Sequence, residues 1–295
     1  MQPEAPLIIV AGPPLGGLAR VALALGRLGG GLVLPELTLG MADNIDDLCT
    51  LHRRSQSHLG QGLLRALAYL GPGQTDAGIE QVQQVLWRRG EQPVSSLLRQ
   101  LCRANWQISP DPHLGWRPDY GQRLLHMPQV RVLHLSRHPL WHGSALYQAQ
   151  QRGEFMPAGF QDFCLHPDGV FDPQLGWFQM HRNLSRLGQR LGPRYRHISY
   201  TAFARDPQQL LRELARDWHL QPTPGHLAEH PDWVAHRGPS QAPGGWDQRE
   251  MDELRFGAEA PETDLDQPMP WRLQRRLSRE VQVLAAELGY GSASA

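Results

Sequence analysis

Lysine is absent from all 295 residues, so each of the 29 basic side chains is an arginine. That removes every mechanism built on a lysine nucleophile, a Schiff base or a P-loop lysine. What remains is a cation that stays protonated at any working pH and grips phosphate through a planar pair of donors. Cysteine is scarce. Cys49, Cys102 and Cys164 are odd in number and far apart, with no C-x-x-C pair and no metal-ligand spacing, so a reduced, cytoplasmic setting is expected and no metal. Long apolar runs are missing too. Residues 7–10 are too short for a signal segment and lack its basic flank, and no stretch is long enough to span a membrane. Net charge is also lacking, with 29 acidic residues against 29 basic ones. Such a chain has no overall field to hold nucleic acid, so any anion site must be local.

What is present is an ordinary core, with 40% apolar and 20% charged residues, and the length suits one α/β domain, 1–295, carrying insertions. Residues 7–12 read as a buried strand, followed by a glycine turn and a helix over 18–28; 33–35 fit a short second strand. Three leucine- and valine-rich stripes, punctuated by Gly-Pro signals, make 57–105 a helical insertion covering one side of the sheet. Strand patterns return at 130–135 and 195–200, each followed by a helical segment, 140–150 and 207–218. This repeated order predicts a parallel sheet with helices on both faces. Residues 222–270, rich in proline and glycine, read as an irregular lid or loop, and a helix over 273–288 closes the pattern. No internal repeat is visible.

Three segments carry chemistry. The first is VAGPPLGGLAR at 10–20, between strand and helix. A glycine turn there offers backbone N–H groups and a positive dipole end to an anion. It is not a Walker A loop, because no Lys-Ser/Thr follows the glycines. The second is RVLHLSRHP at 131–139, which puts Arg137 at the carboxyl edge of a strand, where open α/β sheets bind ligands, with Ser144 on the next helix. The third is YRHISYTAFARDP at 195–207, a strand, loop and Pro-started helix.

In this order and spacing the three resemble the sulfotransferases that use 3′-phosphoadenosine-5′-phosphosulfate (PAPS). LPELTL at 34–39 adds to the match. LGQGLLRAL at 59–67 and WFQMHRN at 177–183 are similar to segments of the bacterial branch, which includes polyketide-pathway enzymes, and 284–290 resembles the family's last helix. The resemblance implies a P-loop-NTPase-like fold and transfer of a sulfuryl group from PAPS to a hydroxyl of a small-molecule or carrier-bound acceptor, leaving adenosine 3′,5′-bisphosphate. It implies that Pro14, Leu15, Gly16 and Gly17 hold the 5′-phosphosulfate. Arg137 and Ser144 would hold the 3′-phosphate, joined by Arg237 and Gly238, which resemble a late Arg/Lys-Gly element. Glu36 is the implied general base, with His52 and His58 as further candidates; His138 and His142 flank Arg137.

The chain also departs from the family. Leu15 stands where a cation is usual, and Gly16, Leu18 and Ala19 fill the hydroxyl positions. Ser144 falls one residue early, and Trp116-Arg117-Pro118 replaces a K-T/S-P segment. Two expectations follow. Either another arginine, Arg20 or Arg117, supplies the cation, or the chain is a catalytically inactive relative that binds a nucleotide or a partner protein.

Overall fold

The computed structural model of the chain describes residues 5–54, 61–73, 75–102, 106–151, 164, 171–221 and 276–291. Five strands, β1 (Leu7–Ala11), β2 (Leu32–Val33), β3 (Gln107–Asp111), β4 (Val130–Ser136) and β5 (Tyr195–Ser199), form one sheet in the order β2-β3-β1-β4-β5. All its pairings are parallel. Around it, in chain order, run α1 (Leu18–Gly29), α2 (Ile45–Arg54), α3 (Gln61–Tyr69), α4 (Asp76–Arg88), α5 (Leu98–Leu101) and α6 (Pro118–Leu124). They are followed by α7 (Pro139–Gln151), α8 (Pro173–Leu191), α9 (Tyr200–Arg205), α10 (Pro207–Trp218) and α11 (Arg279–Glu287). None of the described helices is long and apolar enough to cross a membrane.

Local chemistry explains these boundaries. The central strand β1 is LIIVA with every residue buried, the continuous apolar run expected of a strand covered on both faces. α1 is entered through Gly17 and left through Gly30, both left-handed. Asp172 caps α8 and Asp206 caps α10, each accepting from a backbone N–H two or three residues on, and each is followed by proline; carboxylate at the cap and proline at the first helical position are both favoured.

The expected helical insertion over 57–105 corresponds to α3, α4 and α5 where it is described. Leu63, Leu67, Val82, Leu86, Leu97, Leu98 and Leu101 of its stripes join the main core, whereas Val85 stays exposed. The segment 222–270 lies outside the described residues. α11 packs Val281, Leu284 and Leu288, with Tyr290 beyond it, against Leu140 and Trp177.

β3 is the element that sequence reasoning missed. QISPD is polar and holds Pro110, which normally argues against an interior strand. Here the β2 ladder stops at Ile108, so on that side no partner asks for the N–H that Pro110 lacks. Ser109 Oγ donates to the Pro35 carbonyl at 2.7 Å, which satisfies a hydroxyl that would otherwise be buried without a partner.

The chain runs from β1 to β2 and β3 on one side, then crosses to β4 and β5 on the other. Connections leaving β1 and β4 therefore diverge, and the crevice between their carboxyl ends is the place where such sheets bind ligands.

Candidate active site

Residues 12–17 form the turn above β1. A Cβ at Gly12 would sit 2.5 Å from the Leu135 carbonyl oxygen, so only glycine allows this approach to β4. The Gly16 N–H donates to the Pro13 carbonyl at 3.1 Å. Leu15 and Gly17 are left-handed, with φ of 60° and 87°. Left-handed residues in such a turn aim backbone N–H groups to one side, the geometry of an anion cradle, and the first N–H groups of α1 add unpaired donors and the positive dipole end.

For Leu15 that conformation costs on the order of 1–3 kcal/mol. Two side chains from across the crevice hold it. His142 Nε2–H donates to the Pro14 carbonyl at 2.8 Å, and Arg137 Nη1 donates to the Leu15 carbonyl at 3.3 Å. The Leu15 side chain is buried with Trp116, Leu146, Cys164 and Met180.

On the β2–β3 side, Glu36 follows β2 while Asp111 and His113 end β3. All three are buried. His113 Nδ1 meets Glu36 Oε1 in a close ion pair. Asp111 Oδ1 accepts the backbone N–H groups of His113 and Leu114 at 2.8 and 3.0 Å, fixing the turn that carries the imidazole. Burial alone would push the His113 pKa down; Glu36, in contact, and Asp111 beside it outweigh burial and raise it above the usual histidine value. Asp111 itself is raised to about 6, by burial and then by the neighbouring Glu36 charge. One atom from each of the three lies within 4.8 Å of the others, a donor set that suits a divalent cation as well as a proton. The ring of Trp116 stands edge-on to His113, with centroids 4.3 Å apart.

On the β4–β5 side, Arg137 leaves β4 with its guanidinium 5.1 Å from the ring centroids of both Trp141 and Tyr200. Beneath it runs a set of histidines. His134 is hydrogen-bonded to Tyr195 Oη at 2.6 Å and to His181 Nδ1 at 2.7 Å, and His197 Nε2 to Ser136 Oγ at 2.8 Å. Burial drives the pKa of His142 and of His197 down to about 4, and those of His134 and His181 well below the usual value. The Tyr290 hydroxyl donates to the Ser136 carbonyl at 2.7 Å, tying the segment after α11 to the end of β4.

The fold has solved counterparts. Over 98% of this chain and 97% of its own, the sulfotransferase domain of the Synechococcus PCC 7002 olefin synthase superposes with a TM-score of 0.64 at 19% identity. The sulfotransferase domain of the curacin biosynthetic pathway does so over 97% and 98%, with a TM-score of 0.64 at 16% identity. The chain has the sulfotransferase fold. No protein-family model and no curated protein matches its sequence.

Within the sulfotransferase fold, the expected site residues separate. Pro14, Leu15, Gly16 and Gly17 form the cradle, and Arg137 reaches it. Ser144 lies half-buried in the second turn of α7, seven residues beyond Arg137. Glu36 is in place but spent on His113. His52 is hydrogen-bonded to Thr38 Oγ1 at 2.9 Å, and burial with the nearby His113 lowers its pKa to about 4, which makes it a poor proton acceptor at neutral pH. His58, Arg237 and Gly238 lie outside the described residues. Of the two arginines expected to replace a loop cation, Arg117 is instead paired with Asp119 at 3.0 Å with its side chain 63% exposed, and Arg20 stands 5.8 Å from the Tyr200 ring centroid. His113, Asp111 and Tyr200 went unrecognised. Asp-Pro-His at 111–113 was the available signal, and it becomes readable only once β3 is known to end at Asp111.

Proposed function

We propose that this chain transfers a sulfuryl group from PAPS to the hydroxyl of a small-molecule or carrier-bound acceptor. The observation that carries this reading is the convergence at one sheet edge of an anion cradle (residues 12–17), a cation (Arg137) and a buried carboxylate–imidazole pair (Glu36–His113). The residues fit the co-substrate: the cradle suits its 5′-phosphosulfate, and Arg137 with Ser144 its 3′-phosphate.

Sulfuryl transfer proceeds by in-line displacement, helped chiefly by positioning and charge stabilisation. In this reading Glu36 acts through His113. Glu36, against Nδ1, keeps a proton on that side of the ring, so that Nε2, once deprotonated, takes the acceptor's proton. The acceptor oxygen then bonds to sulfur, the sulfur–oxygen bond to the phosphate breaks, and adenosine 3′,5′-bisphosphate departs with the electron pair. The sulfotransferase domains with which the chain superposes support the acceptor class.

One observation favours a second reading, nucleotide binding without catalysis. The cradle carries no cationic side chain of its own, and loss of a transition-state donor costs roughly 10²–10³-fold in rate. Titration with adenosine 3′,5′-bisphosphate, followed by a sulfuryl-transfer assay with a phenol, separates the two. Binding with turnover supports the enzyme, binding without turnover the second reading, and the absence of both rejects a nucleotide site. Arg137→Ala is expected to weaken nucleotide binding by about 1.5–3 kcal/mol.

A further inference from the structure

Resting on the nucleotide-site reading above, we propose that His142 is a positioning residue which sets the affinity of the cradle for the 5′-phosphate group without touching it. The cradle has no side-chain hydroxyl or cation at residues 12–17, so backbone N–H groups must do the holding, and they serve only if the turn keeps its shape. Pro13 and Pro14 have no N–H to contribute, which leaves few donors and makes their aim decisive.

The shape is imposed from α7. A carbonyl can only accept, so Nε2 of His142 carries the proton in its bond to Pro14. This bond fixes the direction of the Pro14 carbonyl, and Pro14 precedes the left-handed Leu15. Arg137 holds the next carbonyl, that of Leu15. Two successive peptide planes are thus pinned at their oxygen ends, which fixes the Leu15 N–H and keeps the Gly16 N–H in the bond that closes the turn onto Pro13.

His142 is fully buried, so it is not a surface group drawn in by chance. The apolar seat of Leu15 among Trp116, Leu146 and Met180 anchors the same turn from the other side. A turn held this way needs no hydroxyl or cation of its own to bind phosphate.

The test uses the full chain and two ligands, adenosine 3′,5′-bisphosphate and adenosine 3′-monophosphate, which lacks the 5′-phosphate. Binding of both is measured calorimetrically for the wild type, His142→Ala, His142→Met and His142→Gln. The alanine and methionine variants, which lack the donor, are expected to bind the bisphosphate about tenfold more weakly, the scale of one buried hydrogen bond. Their affinity for the 3′-monophosphate should be unchanged. Glutamine places an amide N–H near the position of Nε2 and should restore most of the loss. His142→Met, close to histidine in volume, serves if the alanine variant does not fold. Equal weakening toward both ligands, or no recovery with glutamine, overturns the positioning role while leaving the nucleotide site standing. A wild type that binds neither ligand overturns the nucleotide site and the inference with it.

Discussion

On the β2–β3 side of the sheet, His113 is buried against Glu36 and Asp111 and its pKa rises. On the β4–β5 side, His134, His142 and His181 are just as deeply buried, His197 nearly so, and their pKa values fall. Desolvation opposes the imidazolium in both places. What differs is the company: carboxylates on one side, other imidazoles and Arg137 on the other. One region surrounds its imidazole with carboxylates that favour the protonated ring. The other uses its rings as fixed donors and acceptors, to side chains from His134, His181 and His197 and to backbone from His142.

Removing the carboxylate should collapse the distinction. Glu36→Gln leaves His113 buried without its counter-charge, so its pKa should drop toward the values of the other set, as followed by NMR titration. Sulfuryl transfer is expected to fall roughly 10²–10⁴-fold with little change in nucleotide affinity. Unchanged turnover would mean that the pair is structural.

Next in size is Leu15→Arg, which places a cation between the two regions. Because the native side chain sits in an apolar cluster, the guanidinium would be buried without a partner. The expected result is a loss of several kcal/mol, read as a lower melting temperature, rather than a gain in activity. A stable, faster variant would show that the turn can re-aim this side chain toward the crevice.

Acidification acts on both regions with opposite signs. An unfolded histidine titrates near 6.5, so the unfolded chain takes up protons below that pH while the depressed histidines, His52 beside His113 and the four of the β4–β5 side, do not. Their contribution to stability is intact above about 6.5 and is lost as pH falls toward 4. His113, raised, adds stability below 6.5 that is lost as pH climbs through its folded value. Asp111, raised to about 6, takes up its proton earlier in the folded state and favours folding as pH drops from 6 toward 3.8. Between pH 6.5 and 4 five histidines are opposed by Asp111 alone, so thermal melts should show a net decline there. The decline should flatten in a His134→Leu, His181→Leu double variant, provided it folds.

The smallest effect is expected for Arg117→Ala. Its exposed pair with Asp119 is worth at most about 1 kcal/mol, and turnover should stay within about twofold. A large loss would move Arg117 into the site.

The parts of the fold that read clearly from sequence were those in which one period dominates. The LIIVA strand, the glycine turn and the stripes of the insertion each carry a signal that tertiary contacts reinforce. β3 did not, because it is polar, holds Pro110, and has its Ser109 satisfied by a partner far along the chain, the Pro35 carbonyl. The loss of β3 took His113 with it. Among 14 histidines, nothing local marks the one that meets a carboxylate 77 positions away. Glu36 was legible as a candidate base, but its contact with an imidazole was not. His142 and Arg137 could be placed near the turn by order along the chain. That their donors reach main-chain oxygens of the turn follows only from the fold.

The bond from Tyr290 to the Ser136 carbonyl spans 154 positions. It fastens the last residue of β4, next to Arg137, to a segment that leaves the ribosome much later. At ordinary elongation rates that delay is roughly 8–30 s. During that interval the nascent sheet can assemble while the Arg137 corner still lacks its clasp. Completion of the crevice therefore waits for the segment around Tyr290, so a product that stalls before it would carry a folded sheet and a slack corner at Arg137.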